Sequence, residues 1–243
     1  MEIVIRADNL TKIYDGKTIG IKDISFEVEK NDIFALVGPN GAGKTSLIKI
    51  LATIHPPTQG QAYIKGYDVY NNRIEIKRKI GYVPENITLL NYLKGIEFLH
   101  FIGEIRNIPE ETRIKRINFL SSLFNFEDEL NNLIQTYSKG TRKKIVLASA
   151  FIHSPEVILL DEPTANLDPE MVIVLRDYLK NLQTEGITIF ICTHTLDFAQ
   201  KICNKVGILS KGRLSECGNI NNLFHKYNMS SLENLYLKAI GKE

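Results

Sequence analysis

Eight consecutive residues of this 243-residue chain have the spacing of a phosphate-binding loop. They read Gly38-Pro39-Asn40-Gly41-Ala42-Gly43-Lys44-Thr45, which fits the pattern G-x-x-x-x-G-K-[ST]. Glycines let the backbone wrap around phosphate oxygens, and a helix that starts at the loop adds partial positive charge there. We therefore predict that the loop and Ser46 bind the phosphates of ATP, that Lys44 reaches the β- and γ-phosphates, and that the Thr45 hydroxyl ligates Mg²⁺.

The flanking sequence supplies the two elements that such a loop needs. Residues 33–37 are β-branched and apolar and predict a buried strand that enters the loop. Residues 46–54 predict a helix that leaves it and that Pro56 and Pro57 would end. The alternative, a glycine-rich turn that only matches the pattern, leaves this strand and helix unexplained.

Two carboxylates follow a second buried strand. Residues 157–160 are all apolar, which is typical of a parallel strand buried on both faces, and Asp161 and Glu162 come directly after them. Because ligands of α/β sheets bind at the carboxyl ends of the strands, Asp161 is predicted to hold Mg²⁺ and Glu162 to polarise an attacking water. Taken alone, such a pair would more often lie in a solvated loop.

Composition and charge narrow the classes of function. The chain is 44% hydrophobic and 24% charged, as globular proteins are, and its net charge of +2 is too small to indicate nucleic acid as a partner. Three cysteines without C-x-x-C spacing favour a reducing cytosol over a disulfide framework. Neither a signal pattern nor an apolar run of the ~18 residues that span a bilayer is present, so another chain would have to supply any membrane spans.

The order of strand and helix patterns predicts an α/β fold of the P-loop NTPase class. We expect one domain over residues 1–243, with a nucleotide-binding lobe formed by residues 1–85 and 156–243 and a helical subdomain inserted at residues 86–155. Antiparallel strands are expected around the phosphate loop, at residues 3–28 and 61–64 among others.

Helical periodicity and capping patterns refine this layout. Helices are predicted at residues 89–102, 112–124, 169–182 and 196–204. Ser230 and Glu233 have capping-box spacing ahead of a last helix. The basic runs 77–79 and 142–144 are interpreted as solvated faces, with contact to a membrane partner as the alternative.

Four further segments resemble the ATP-binding subunit of an ABC transporter. In chain order they are Tyr137-Ser138-Lys139-Gly140-Thr141-Arg142, Leu160-Asp161-Glu162-Pro163-Thr164, Asn166-Leu167-Asp168 and Thr193-His194. The family signature is usually Leu-Ser-Gly-Gly-Gln, of which Ser138 and Gly140 match while the residues around them depart. The altered signature is similar to that of exporter ATPases.

The resemblance implies a head-to-tail dimer of nucleotide-binding domains, either homomeric or with a divergent partner. ATP would lie between the phosphate loop of one subunit and Ser138 and Gly140 of the other. Ser138 would cap the helix that follows it, and the N-terminus of that helix would face the γ-phosphate. The alternative is that Ser138 is an ordinary N-cap.

The resemblance also implies roles for four single residues. Asp168 would link the two active sites, His194 would contact the γ-phosphate, and Tyr14 would stack on adenine. The alternatives are a turn or a helix N-cap for Asp168, which is compatible with the linking role, a polar strand end for His194 and an exposed turn residue for Tyr14. Glu85 stands where the family usually has Gln and would contact Mg²⁺ or the attacking water, with one more negative charge.

By this resemblance the chain is an ATPase that uses ATP and Mg²⁺ and powers an integral membrane permease on a separate chain, as an exporter. It would lie peripherally on the cytoplasmic face of the cell membrane. One alternative is a soluble ABC-type ATPase, although the chain has one such domain rather than two and no sustained heptads. Another is a non-catalytic nucleotide-binding module, against which Asp161, Glu162 and His194 argue.

Overall fold

The computed structural model describes residues 2–241, in which two β-sheets are packed with α-helices. The strands are β1 (Ile3–Tyr14), β2 (Thr18–Glu29), β3 (Ile33–Val37), β4 (Gln59–Ile64), β5 (Tyr67–Asp68), β6 (Ile80–Val83), β7 (Val157–Asp161), β8 (Thr188–Thr193), β9 (Lys205–Ser210) and β10 (Arg213–Asn219). The helices are α1 (Lys44–Leu51), α2 (Arg73–Lys79), α3 (Gly95–Ile105), α4 (Glu110–Leu123), α5 (Lys139–Phe151), α6 (Pro169–Thr184), α7 (Leu196–Ile202), α8 (Ile220–Tyr227) and α9 (Leu232–Ile240).

The larger sheet brings together the strand ends that precede the predicted site residues. It has six strands in the order β10-β9-β3-β8-β7-β6, and all neighbouring pairs are parallel except β9 with β10. In its register Val37 pairs with Thr193, and Asp161 pairs with Cys192. The residues that follow β3, β7 and β8 therefore emerge at one edge of the sheet, where α/β proteins bind ligands.

Strands β3, β7 and β8 are buried throughout because both faces of the sheet are covered. Ile33, Ala35 and Val37 belong to a core shared with the helices, whereas Phe34 and Leu36 belong to a core shared with α1 and the smaller sheet. The smaller sheet is antiparallel, in the order β2-β1-β4-β5. The mixed α/β fold thus follows the predicted pattern.

Two of the predicted helices have different limits in the structure. The helix expected at residues 89–102 begins at Gly95, because Ile134 N donates to Leu93 O (2.9 Å) and Lys94 N donates to Glu97 Oε2 (2.8 Å). The helix expected at residues 46–54 is α1, which ends earlier because Thr53 takes a left-handed φ of +61°.

The last helix is capped by a different serine from the one predicted. Ser231, not Ser230, is its N-cap, and Ser231 Oγ accepts a hydrogen bond from Asn234 N (3.2 Å). The other predicted helices match α4, α6 and α7 to within two residues at each end.

Between β6 and β7 the chain forms α3, α4, a 3₁₀ turn (Ile134–Thr136) and α5. Phe124 of this region packs against Phe151, with ring centroids 6.0 Å apart. The proposed division of the chain at residues 86–155 remains a prediction. None of the helices within residues 2–241 is both long and apolar enough to cross a membrane.

Candidate active site

The phosphate loop connects β3 to α1 and depends on its glycines. Gly43 has a φ of +108°, and a Cβ at this position would lie 2.2 Å from Gly20 O, so a side chain is excluded there. The Lys44 side chain is buried, and its Nζ donates to Gly38 O (2.7 Å) and to Pro39 O (3.2 Å). The ammonium therefore lies over the loop in which phosphates would bind.

The Glu162 carboxylate contacts residues from two separate parts of the chain. It accepts hydrogen bonds from Thr193 Oγ1 (3.0 Å) and from His194 N (3.1 Å), and it lies 2.9 Å from His194 Nδ1. Lys44 Nζ is 3.7 Å away. The structure thus brings together Lys44, Glu162 and His194, the three residues that the sequence predicts to be catalytic.

The backbone at Glu162 is unusual for a residue with a side chain. Its φ is +46°, in the left-handed region that costs free energy for any residue but glycine. The N–H of Glu162 donates to Cys192 O (2.9 Å), which holds this turn against the end of β8. The conformation aims the carboxylate at Thr193 and His194.

Asp161 is a buried carboxylate at the end of β7. Only 1% of the residue is exposed, and within the described range neither side-chain oxygen has a hydrogen-bond partner. Burial raises the pKa of Asp161 to about 6, and the nearby charges of Glu85 and Glu162 act in the same direction, while Thr45 and Lys44 oppose them. Such orphaned anionic oxygens suit a hard cation.

These residues fit Mg²⁺, which is typically held by one or two carboxylates together with substrate phosphates. No group of three or more His, Cys, Asp or Glu side chains in residues 2–241 could hold a metal alone. Glu85 follows β6, whose Val83 pairs with Leu160, so Glu85 emerges at the same sheet edge as Asp161. Thr45 and Glu85, the other predicted ligands, are close enough to Asp161 to affect its pKa, and Glu85 is exposed.

Tyr14 ends β1 beside the start of α1. Its hydroxyl donates to Ser46 Oγ (3.2 Å), and its ring meets that of His55 edge-on with centroids 6.0 Å apart. The Lys12 ammonium lies 5.3 Å from the Tyr14 ring centroid. The ring is therefore next to the phosphate loop, as an adenine-stacking residue requires, and His55 is a neighbour that the sequence did not single out.

Ser138 and Asp168 both cap helices. Ser138 Oγ accepts from Thr141 N (3.0 Å) at the start of α5, and Asp168 Oδ1 accepts from Met171 N (2.8 Å) at the start of α6. Both residues are helix N-caps, and the dimer roles that the resemblance implies for them stay predictions. In residues 2–241 no hydrogen bond or ion pair joins Ser138 or Gly140 to the residues around Glu162.

Comparison with known proteins identifies the family. The family model described as ABC transporter matches residues 21–165. An uncharacterized ABC transporter ATP-binding protein of Methanocaldococcus jannaschii is 34% identical over 226 residues, which cover 93% of this chain and 81% of that protein. The chain belongs to the ABC transporter family. The linearmycin resistance ATP-binding protein LnrL of Bacillus subtilis is 29% identical and covers 98% of this chain and 76% of LnrL.

A solved structure supports the same family. The dimeric structure of a bacterial ABC transporter cassette matches with a TM-score of 0.82 and 25% identity, over 89% of this chain and 98% of that one. The predicted P-loop ABC fold is thereby confirmed, and the chain is an ATP-binding ATPase of this family.

One buried residue of this ABC ATPase was missed by the sequence analysis. The basic run 142–144 was interpreted as a solvated face, but Lys143 is buried, with 1% exposure, so this interpretation is wrong for the middle residue. Helical spacing could have predicted this burial. Lys143, Leu147 and Ala150 follow one another at intervals of four and three residues, so they lie on one face of α5, and all three are buried.

Proposed function

We propose that this ABC ATPase hydrolyses ATP at the Glu162 site and thereby powers a separate membrane permease, in the direction of export. The convergence of Lys44 and His194 on the Glu162 carboxylate, beside the phosphate loop, is the observation that carries the proposal. A cation, an imidazole and a carboxylate beside the phosphate loop support the proposal that the γ-phosphate and the attacking water meet there.

Each residue of this set has a chemical task. Lys44 exchanges its contacts with the Gly38 and Pro39 carbonyls for phosphate oxygens and offsets the charge that develops on them. Glu162 orients the attacking water and accepts its proton, and His194 contacts the γ-phosphate. Thr45, Glu85 and Asp161 would hold Mg²⁺, which supplies further positive charge to the phosphates when it is bound.

We further propose that the complete site forms between two subunits. Among residues 2–241 no hydrogen bond or ion pair joins Ser138 and Gly140, at the start of α5, to the Glu162 cluster, and the related bacterial cassette is dimeric. A head-to-tail pair would bring this helix N-terminus to the γ-phosphate of the other subunit's ATP, which is where a helix N-terminus favours an anion. Asp168 would lie at the same dimer contact.

The proposed permease contact is a groove of about 810 Å³ between α2, α3 and α5. Three of its isoleucines are exposed, with Ile54 at 49%, Ile74 at 65% and Ile105 at 59%. Lys77 and Arg106 are among its basic lining residues, and no lining residue is acidic in the chain as described. A permease segment with apolar and acidic side chains would fit this groove.

Export is supported by the altered signature and by the name of the relative LnrL, a linearmycin resistance protein. In this proposal the subunit lies peripherally on the cytoplasmic face of the membrane. We also propose that residues 86–155 form the helical subdomain, inserted between the parts of the nucleotide-binding lobe at residues 1–85 and 156–243.

Co-purification tests the transporter assignment. Tagged protein is isolated from detergent-solubilised membranes with ATP, in the parent and in Ile105→Glu, which places a charge in the groove. Ile173→Glu on α6 is the matched control, because Ile173 is 50% exposed and does not line the groove. We expect a polytopic membrane protein to accompany the parent and Ile173→Glu and to be lost at least tenfold from Ile105→Glu. Recovery of ribosomes or soluble assembly proteins instead would refute the transporter assignment.

A further inference from the structure

The Tyr14 ring is held from several sides. Its hydroxyl donates to Ser46 Oγ (3.2 Å) in the first turn of α1. A Cβ at Gly20 on β2 would lie 2.8 Å from Tyr14 Cε2, so the absence of a side chain there makes room for the ring. Two further residues, Lys12 and His55, contact the ring itself, and the proposed hydrolysis mechanism uses neither of them.

Lys12 contacts a face of the ring. It precedes Tyr14 by two residues on β1, so both side chains lie on the same side of the strand. The Lys12 ammonium lies over the ring, 5.3 Å from its centroid, which is within the range of a cation–π contact. The same ammonium donates to Pro56 O (2.8 Å), and this hydrogen bond fixes the cation where it covers one face of the ring.

His55 contacts the ring from another direction. The two ring centroids are 6.0 Å apart and the ring planes are 82° from parallel, which is the edge-to-face arrangement that aromatic pairs favour. His55 follows α1, and its N–H donates to Lys49 O (3.2 Å), which anchors the residue to the end of that helix. The imidazole therefore limits the directions in which the Tyr14 ring can turn.

The segment that follows α1 is also fastened to β1. Ile13 N donates to Thr58 Oγ1 (3.0 Å), and Thr58 N donates to Thr11 O (2.8 Å). Together with the bond from Lys12 to Pro56 O, these hydrogen bonds join the segment to the strand that carries the Tyr14 ring. The two groups that contact the ring are thus parts of one connected support.

We propose that Lys12 and His55 are positioning residues of the adenine site, and that they hold the Tyr14 ring at one face and one edge so that its other face receives the base of ATP. The inference rests on the proposed binding of ATP and on the predicted stacking of Tyr14. Without one of these neighbours the ring is free to adopt other staggered rotamers. If about one third of the molecules keep the competent rotamer, the apparent dissociation constant for ATP rises about threefold.

Binding of two ligands separates recognition of the base from recognition of the phosphates. Titration calorimetry with Mg²⁺ gives dissociation constants for ATP and for inorganic tripolyphosphate, which has no base to stack. We expect Lys12→Met and His55→Ala to weaken ATP binding at least about threefold and to change tripolyphosphate binding less than about twofold. The matched controls are Lys17→Met in the β1–β2 turn and His225→Ala on α8, two exposed residues whose replacement should leave both constants unchanged.

Conservative variants and a double-mutant cycle show whether the effect acts through the ring. Lys12→Arg keeps a cation over the ring and His55→Phe keeps an aromatic edge, so both should bind ATP to within about twofold of the parent. In the Tyr14→Ala background, Lys12→Met and His55→Ala should weaken ATP binding no further, because the ring that they hold is absent.

Three results would overturn the proposal: unchanged ATP binding in Lys12→Met and His55→Ala, equal weakening of ATP and tripolyphosphate, or a full effect in the Tyr14→Ala background. A variant that does not fold is replaced by Lys12→Gln or His55→Leu, which likewise lack the cation or the aromatic edge. Failure of the underlying function looks different. It would appear as a parent protein that binds neither ligand, or as unchanged ATP binding by Tyr14→Ala, and either result overturns this inference as well.

Discussion

Replacement of Glu162 by Gln is the most direct test of the hydrolysis site. Gln has nearly the same shape and keeps an oxygen that can accept the hydrogen bond from Thr193 Oγ1, so the turn at residue 162 should persist. The variant lacks a carboxylate to accept the proton of the attacking water. General-base catalysis typically contributes about 10²–10⁴ in rate, so we expect kcat to fall by at least about 100-fold.

The same change should strengthen ATP binding. Lys44 Nζ lies 3.7 Å from Glu162 Oε1, and two unit charges at that distance attract by about 4 kcal/mol at an effective dielectric constant of about 20. Phosphates compete with this attraction for Lys44 and are repelled by the carboxylate. Because desolvation offsets most of the gross attraction of a buried pair, we expect a net gain of about 1.4 kcal/mol, or tenfold tighter binding.

Two assays measure these effects. Phosphate release at saturating Mg²⁺-ATP gives kcat, and titration with a fluorescent ATP analogue gives the dissociation constant. Glu111→Gln is the control, since Glu111 is an exposed carboxylate paired with Lys115 on α4. Hydrolysis within threefold of the parent rate would refute the role of Glu162 as the base. ATP binding weaker than in the parent would refute the electrostatic reasoning about Lys44.

Two predictions concern Asp161 and Tyr14. The raised pKa of Asp161, about 6 against an ordinary 3.8, means that the native state holds this proton more tightly than the unfolded state. Without Mg²⁺ the free energy of unfolding should therefore fall by roughly 3 kcal/mol as the pH rises from about 4 to 6. Asp161→Asn should remove this decrease in urea titrations, and an unchanged decrease would contradict the assignment. Tyr14→Ala should weaken ATP binding about tenfold, since base stacking contributes about 1–3 kcal/mol, and an unchanged dissociation constant would exclude stacking on Tyr14.

Short sequence patterns predicted much of this site because the interactions that these patterns need lie within a few residues. A phosphate loop requires glycine backbone angles and a helix start within a few residues, so residues 38–45 indicate it by themselves. Asp161 follows an uninterrupted apolar strand, and the carboxyl end of such a strand is where ligands bind. The N-caps at Ser138 and Asp168 likewise depend on side chains within three residues.

Other features depend on contacts that are distant in sequence. The start of α3 at Gly95 is decided partly by the hydrogen bond between Ile134 N and Leu93 O, which local helical periodicity does not contain. The basic residue Lys143 looks like part of a solvated run in sequence. Its burial follows from the packing of α5 against the ends of β6 and β7, where carboxylates can offset its charge.

The sequence by itself determined the family of this protein, its phosphate loop and the identity of its predicted catalytic side chains, because these are encoded in short motifs. Only the tertiary structure decided that Lys44 and His194 meet at the Glu162 carboxylate and that the Asp161 side chain is buried. The physical reason is strand order: β3, β8 and β7 lie side by side in the parallel sheet, so residues more than a hundred positions apart end at the same edge.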